Sequence, residues 1–279
     1  MSISKRSAKR CAILGAVAGI ASLSAPGAQA AQIGVDFFGG GGSAASSVMA
    51  ASESAGVIPQ TNWNSFSGNI QATPQALVDS AGAATGATVV WNSNNTWNAP
   101  NVPPVAPGDL KMMKGYLDAG NFGTATDTTT VTVANLPASI TSAPYSVIVY
   151  YDGDNGTANR VGKYSITGGV PLYALDAAGS TFSGTYTPGF SPVDPLIGGG
   201  SAFNNGVAAL TVPAGNFLFF TGLTGSGFTL SAQSYVTSDG TSRAAVQGIQ
   251  IVSGTVPEPT GLTLLGLGAT AILGRRRRR

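Results

Sequence analysis

The chain has 279 residues, with 14 Lys or Arg, 12 Asp or Glu and no histidine. Without histidine, Ser-His-Asp and Cys-His catalysis and His-ligated zinc, iron or copper sites are excluded. Residues 31–255 hold five basic residues (Lys111, Lys114, Arg160, Lys163, Arg243) against eleven acidic ones, a formal charge of −6, which argues against nucleic acid as a partner.

The chain opens on Lys5, Arg6, Lys9 and Arg10, followed by the apolar run Cys11–Leu23 and by Ala28-Gln29-Ala30. A positive n-region, a short apolar h-region and a small-x-small site predict an export signal over residues 1–30, cut to leave Ala31 as the mature N-terminus. The run is too short to prefer spanning a bilayer, and Pro26-Gly27 breaks its helix before the cut. Signal peptidase and the secretion machinery are the implied partners. Cys11, the only cysteine, opens the apolar run and is misplaced for lipidation; the mature chain is therefore expected to hold its core by packing without disulfides.

Candidate strands then recur at the spacing of a sandwich or barrel. Ile33–Phe38 leads into a Gly39–Gly42 turn, Ser43–Ser54 reads as a short helix or a loop, and Pro59–Phe66 carries Trp63. Ala87–Trp91 is a strand, Ala99–Gly108 with four prolines an irregular loop, and Asp109–Leu117 a strand or one helical turn. Thr128–Ala134 alternates with period two, so one face is buried and one wet. Tyr145–Tyr151 is the most apolar strand; Asp152–Asn159 turns the chain, and Arg160–Ile166 is predicted to return as its hairpin partner. Further strands are expected at Val170–Leu175, Thr181–Thr187, Val207–Val212, Phe217–Thr221, Phe228–Val236 and Ala244–Val252. No sustained helical period appears between the termini. The expected fold is all-β: an antiparallel, jelly-roll-like β-sandwich over 31–255, flanked by an N-terminal signal helix and a short C-terminal transmembrane helix.

The chain closes on Val256-Pro257-Glu258-Pro259, the apolar run Thr260–Gly274, and five arginines, Arg275, Arg276, Arg277, Arg278 and Arg279. The 15 apolar residues make ~22 Å of helix, short of a hydrocarbon core of ~30 Å unless the arginines snorkel to the interface. Five uncompensated cations could not be buried and prefer the cytoplasmic side. In order and placement, residues 256–279 resemble the PEP-CTERM sorting domain of bacteria. The resemblance implies an exosortase-type membrane protease that cuts near Pro257-Glu258-Pro259 after export, leaving the body at the cell envelope surface or outside it. Two prolines would keep that backbone extended and open to a protease. The body, through Asn62–Gly68, Gly86–Trp97, Met112–Asp118 and Tyr145–Gly156, resembles β-domains of secreted PEP-CTERM proteins, which implies an exported β-sandwich and no particular activity.

Little in the body carries chemistry. Asp152-Gly153-Asp154-Asn155-Gly156 could present Asp152 and Asp154 to calcium, but Gly156 stands at the fifth position of the loop and Lys163 at the twelfth, where an EF-hand needs ligands; a tight turn explains the same residues. Every tryptophan precedes an asparagine. Trp63 and Trp97 are candidates to stack on a sugar ring, with core packing as the competing explanation, and Trp91 is expected to be buried. The expected function is a non-enzymatic protein of the cell surface or extracellular matrix, without a required cofactor. The alternatives are a carbohydrate-binding module associated with exopolysaccharide, or a glycan-active enzyme whose cleft would hold two facing aspartates, one with a raised pKa.

Overall fold

Thr128–Ala134 buries every second residue, Thr129, Val131 and Val133, as its period-two pattern requires. It belongs to a computed structural model that describes residues 31–39, 48–99, 108–120, 127–179, 182–195, 212–237 and 243–254. The predicted signal segment, most of Val207–Val212, and the tail from residue 255 lie outside these. In chain order the described elements are β1 (Gln32–Phe37), β2 (Asn64–Phe66), β3 (Ile70–Val78), β4 (Ala84–Asn92), β5 (Asn95–Asn98), α1 (Gly108–Met112), β6 (Gly115–Asp118) and β7 (Thr128–Ala134). They continue as α2 (Ala138–Thr141), β8 (Tyr145–Tyr150), β9 (Arg160–Ile166), β10 (Leu172–Asp176), β11 (Ala214–Gly215), β12 (Phe217–Leu223), β13 (Phe228–Thr237), β14 (Ala245–Val246) and β15 (Gly248–Ser253).

The strands form a five-stranded sheet (β12-β8-β15-β1-β2), a seven-stranded sheet (β11-β10-β9-β13-β7-β4-β3) and a three-stranded strip (β14-β6-β5). Pairing is antiparallel except for β1 with β2 and β10 with β11. The two large sheets enclose the main core, where Val35, Val147, Val149 and Ile251 of one meet Val89, Trp91, Val131 and Leu230 of the other. A jelly roll distributes eight strands over two sheets; sheets of five and seven strands with a third strip do not establish that expected connectivity.

Both faces of the five-stranded sheet are buried. Along β8, Tyr145, Val147 and Val149 face the main core, while Ile148 and Tyr150 point to a second cluster with Met49, Trp63, Met112, Met113 and Phe182. This is why Tyr145–Tyr150 is apolar on both sides and not alternating. The covering layer is loop rather than sheet. Tyr150 Oη donates to Gln250 Oε1 at 2.7 Å, and Gln250 Nε2 donates to Ile58 O at 2.6 Å, which ties the sheet to the segment that covers it.

Three expectations change. Arg160–Ile166 is not the hairpin partner of Tyr145–Tyr150: β8 pairs with β12 and β15, and β9 with β10 and β13. A strand buried on both faces needs a covered neighbour on each side, and the connection 151–159 is far longer than a tight hairpin turn. It instead arches from one sheet to the other across the end of the sandwich. Thr181–Thr187 is not a strand in its described part. There the Asn216 side chain stands in for a neighbouring strand, accepting from Thr187 N at 2.9 Å and donating to Thr185 O at 2.9 Å. The segment's Phe182 and Tyr186 pack over the second cluster. Finally, Asp109–Leu117 contains a helical turn followed by a strand, so both readings hold in sequence. Gly115 opens that strand because a Cβ there would collide with the Phe38 backbone.

Two strands carry little sequence signal. β3 is largely exposed and lies at an edge, and its ladder breaks between Gln71 and Gln75, around Pro74. β5 is a short Asn-rich edge beside β6. Among the described residues no helix is long and apolar enough to cross a membrane.

Candidate functional site at the arch

The arch begins where β8 ends. Tyr151 Oη donates to Gly189 O. Asp152 N donates to Gln247 Oε1 at 2.9 Å, and Gln247 Nε2 returns a bond to Asp152 O. The arch then crosses to the end of β10, whose last residue, Asp176, is nine-tenths buried. Gly153 N donates to Asp176 Oδ2 at 2.7 Å, Asn155 Nδ2 to Asp176 O at 3.1 Å, and Asn155 N to Gly179 O at 2.8 Å. Arg160 Nη1 reaches back from β9 to Asn155 Oδ1 at 2.6 Å.

Asp152 and Asp176 share a cavity of about 230 Å³, with Gly179, Ser183, Thr187 and Asn216 among its other walls. Burial lifts the Asp152 carboxyl to about 7. Burial first, and the neighbouring Asp152 charge second, hold Asp176 well above the usual carboxylate range. Behind them lies Asp118, also raised by burial, against which the Arg243 charge acts from 3.5 Å. Arg243 Nη1 and Asp154 N both donate to Tyr116 Oη, at 3.3 and 3.1 Å. Burial raises the Tyr116 hydroxyl. Tyr151 and Tyr164 are raised by the same cause.

The sequence candidates distribute as follows. Asp152 lines the cavity, and its partner there is Asp176, not Asp154. Asp154 instead adds to the charge felt by Arg243. Among the described residues no three acidic side chains come together where they could hold a metal ion. Calcium at Asp152 and Asp154 would have to draw most of its six to eight oxygens from carbonyls, amides or water. Trp63 is 6% exposed, its Nε1 donates to Gln60 O at 3.1 Å, and its ring lies edge-on to Tyr150. That corrects its candidacy as a sugar platform, because neither ring face is open. Trp91 is buried between Phe37 and Phe66, as expected. Trp97 is 46% exposed, on β5 opposite Tyr116. Ala31 is the first described residue, and its carbonyl accepts from Ser253 N at 3.0 Å. Ala28, Ala30, Val256–Pro259 and Arg275–Arg279 lie outside the described residues.

Asp176 was not singled out in the sequence. Its signal was present: an acid closing the otherwise apolar run Leu172–Leu175 must either leave the sheet or find a buried partner.

Four aspartates are raised mainly by burial: Asp36, Asp118, Asp152 and Asp176. A carboxyl raised in the folded state binds protons that the unfolded chain releases, so its stabilisation is full below the unfolded value and lost as pH rises through the folded one. Stability is therefore expected to fall between pH ~4 and pH ~7 and beyond, with Tm ~5–10 °C higher near pH 5 than near pH 8. Thermal melts across that range check it; a Tm that climbs from pH 5 to pH 8 contradicts it.

Residues 255–279 match the family described as the PEP-CTERM protein-sorting motif. No curated protein sequence matches the chain. A solved structure similar in part is that of an exo-β-1,3-galactanase from Phanerochaete chrysosporium with galactose, at 13% identity and a TM-score of 0.22. The match covers 58% of this chain and 32% of that one, a likeness too low to carry fold or activity across.

Proposed function

From the PEP-CTERM protein-sorting motif at residues 255–279, we infer that this is an exported bacterial surface or extracellular-matrix protein processed by an exosortase. The apolar run Thr260–Gly274 anchors it transiently in the inner membrane, with Arg275–Arg279 on the cytoplasmic side. The β-sandwich is the part delivered, and it acts without catalysis, as an adhesive or structural body. Its composition supports that reading: no histidine, a single cysteine in the signal segment, and a core held by packing between sheets. Intact-mass measurement of the exported protein tests it. The expected product runs from Ala31 to a C-terminus near Glu258; a surface form that retains Arg279 overturns it.

Trp97 favours a second reading, association with extracellular polysaccharide. Its half-exposed ring stands on a strand edge, on the same strand face as the exposed Asn95, whose amide can bond hydroxyls. Binding of the processed protein to a glycan array, lost in Trp97→Ala, supports this reading, and absence of binding removes it. The Asp152–Asp176 cavity meets one demand of a glycan-active enzyme, two acids in one cleft. We assign the pair a structural role instead, because Asp176 Oδ2 is committed to the Gly153 amide.

A further inference from the structure

The connection 151–159 joins strands of opposite sheets, so neither end of it is held by a hairpin ladder. Its attachment to β10 runs through a few bonds centred on Asp176: Gly153 N to Oδ2, Asn155 Nδ2 to the carbonyl, and Asn155 N to Gly179 O. On the far side Ala178 N donates to Asn159 Oδ1 at 3.0 Å. The arch is therefore fastened at the point where it carries its own carboxylate, Asp152, into the same cavity as Asp176.

The surrounding charges do not neutralise that pair. From β6 come Tyr116 and Asp118, from β8 Tyr151 follows, the arch adds Asp154, β9 adds Arg160 and Tyr164, and Arg243 precedes β14. The tyrosines, raised by burial, stay neutral over the ordinary pH range. Four acids (Asp118, Asp152, Asp154, Asp176) then stand against two arginines, an excess of two negative charges if all ionise. Arg160 Nη1 bonds Asn155 Oδ1 and Asp154 O, and Arg243 lies at 3.5 Å from Asp118. Two carboxyl groups lining one cavity relieve this excess when one of them keeps its proton.

We propose that Asp152 and Asp176 form a proton-operated latch: with a proton shared between them the arch is closed on the end of β10, and loss of that proton loosens the arch and widens the cavity behind it. The elements are a like-charged pair, a segment with no ladder of its own, and a cavity that the segment walls. With the Asp152 carboxyl lifted to about 7 by burial, the transition falls between mildly acid and mildly alkaline surroundings, the span an exported protein meets.

Hydrogen exchange of the processed protein, read by mass spectrometry from pH 5.5 to 8.5 and corrected for the intrinsic rate, tests this. Peptides covering 152–159 are expected to lose protection by ~10-fold or more beyond the loss seen in peptides of β7, which report the fall in global stability over the same range. Asp152→Asn, which keeps the shape and removes the charge, is expected to hold the arch protected at pH 8.5. If that variant does not fold, Asp176→Asn is read in the same way, since its amide oxygen still accepts from Gly153. The latch is overturned by arch protection that is flat with pH in the unaltered protein. It is equally overturned by a neutral variant that follows the same fall, or by β7 losing protection by the same factor as the arch, which would be global unfolding alone.

Discussion

Replacing Pro257, Glu258 and Pro259 by alanine is expected to leave the exported protein with its C-terminal tail to Arg279 intact and bound to the membrane. The physical reason lies in what precedes the apolar run. Proline costs ~3 kcal/mol in a helix interior and alanine nothing, so three alanines would let the anchoring helix proposed for Thr260–Gly274 extend backwards through the motif. A protease active site binds extended backbone, the form that proline favours in itself and in the residue before it. The substitution also removes the single acid of the tail, Glu258. Membrane fractionation and intact mass provide the readout. Trimming at the native position and native rate would mean that the motif is not what the protease reads. The folded body serves as the internal control, since nothing in the substitution touches residues 31–254.

Trp63→Ala destabilises the sandwich by ~3–5 kcal/mol, whereas Trp97→Ala stays within ~0.5 kcal/mol. Both tryptophans precede an asparagine, yet their surroundings differ. Trp63 fills the space above Gly34, where any Cβ would collide with its ring, and it meets Tyr150 with centroids 6.1 Å apart. Removing it opens the second cluster and leaves the Gln60 carbonyl without its indole donor. Trp97 has close to half its surface in water, and on a strip edge its loss opens no cavity. Urea denaturation of the two variants checks the contrast. A cost below ~1 kcal/mol for Trp63→Ala would contradict its place in the packing. If the protein binds glycans, the functional effect should run the other way, with Trp97→Ala losing binding while Trp63→Ala, where folded, retains it.

The contrast also marks how far the sequence was legible. Thr128–Ala134 and Arg160–Ile166 coincide with strands end to end, because alternation and β-branched content are local properties. β3 and β5 were invisible, since an edge strand needs only one partner and tolerates polar residues and even Pro74. The hairpin expected between Tyr145–Tyr151 and Arg160–Ile166 failed for a related reason. Adjacency in sequence is a good guide to pairing only when the connecting turn is short, and Asp152–Asn159 could equally turn within a sheet or cross between sheets.

The aspartates follow the same division. Asp152 drew attention by its neighbours Asp154 and Gly156, the spacing of a loop ligand set. Its actual partner is Asp176, 24 positions further along and invisible to any local pattern. Burial then supplies what spacing cannot: the shift of both carboxyls upward and the commitment of one oxygen to the Gly153 amide.

The sequence by itself determined the C-terminal sorting motif, the all-β class and the chemistry excluded by the lack of histidine. These depend on composition and on runs of residues contiguous in the chain. Only the tertiary structure decided which tryptophan is open to solvent, which sheet each strand joins, and that two aspartates from different segments share one cavity. Those properties depend on burial and on long-range contact, both of which exist only once the two sheets have closed on each other.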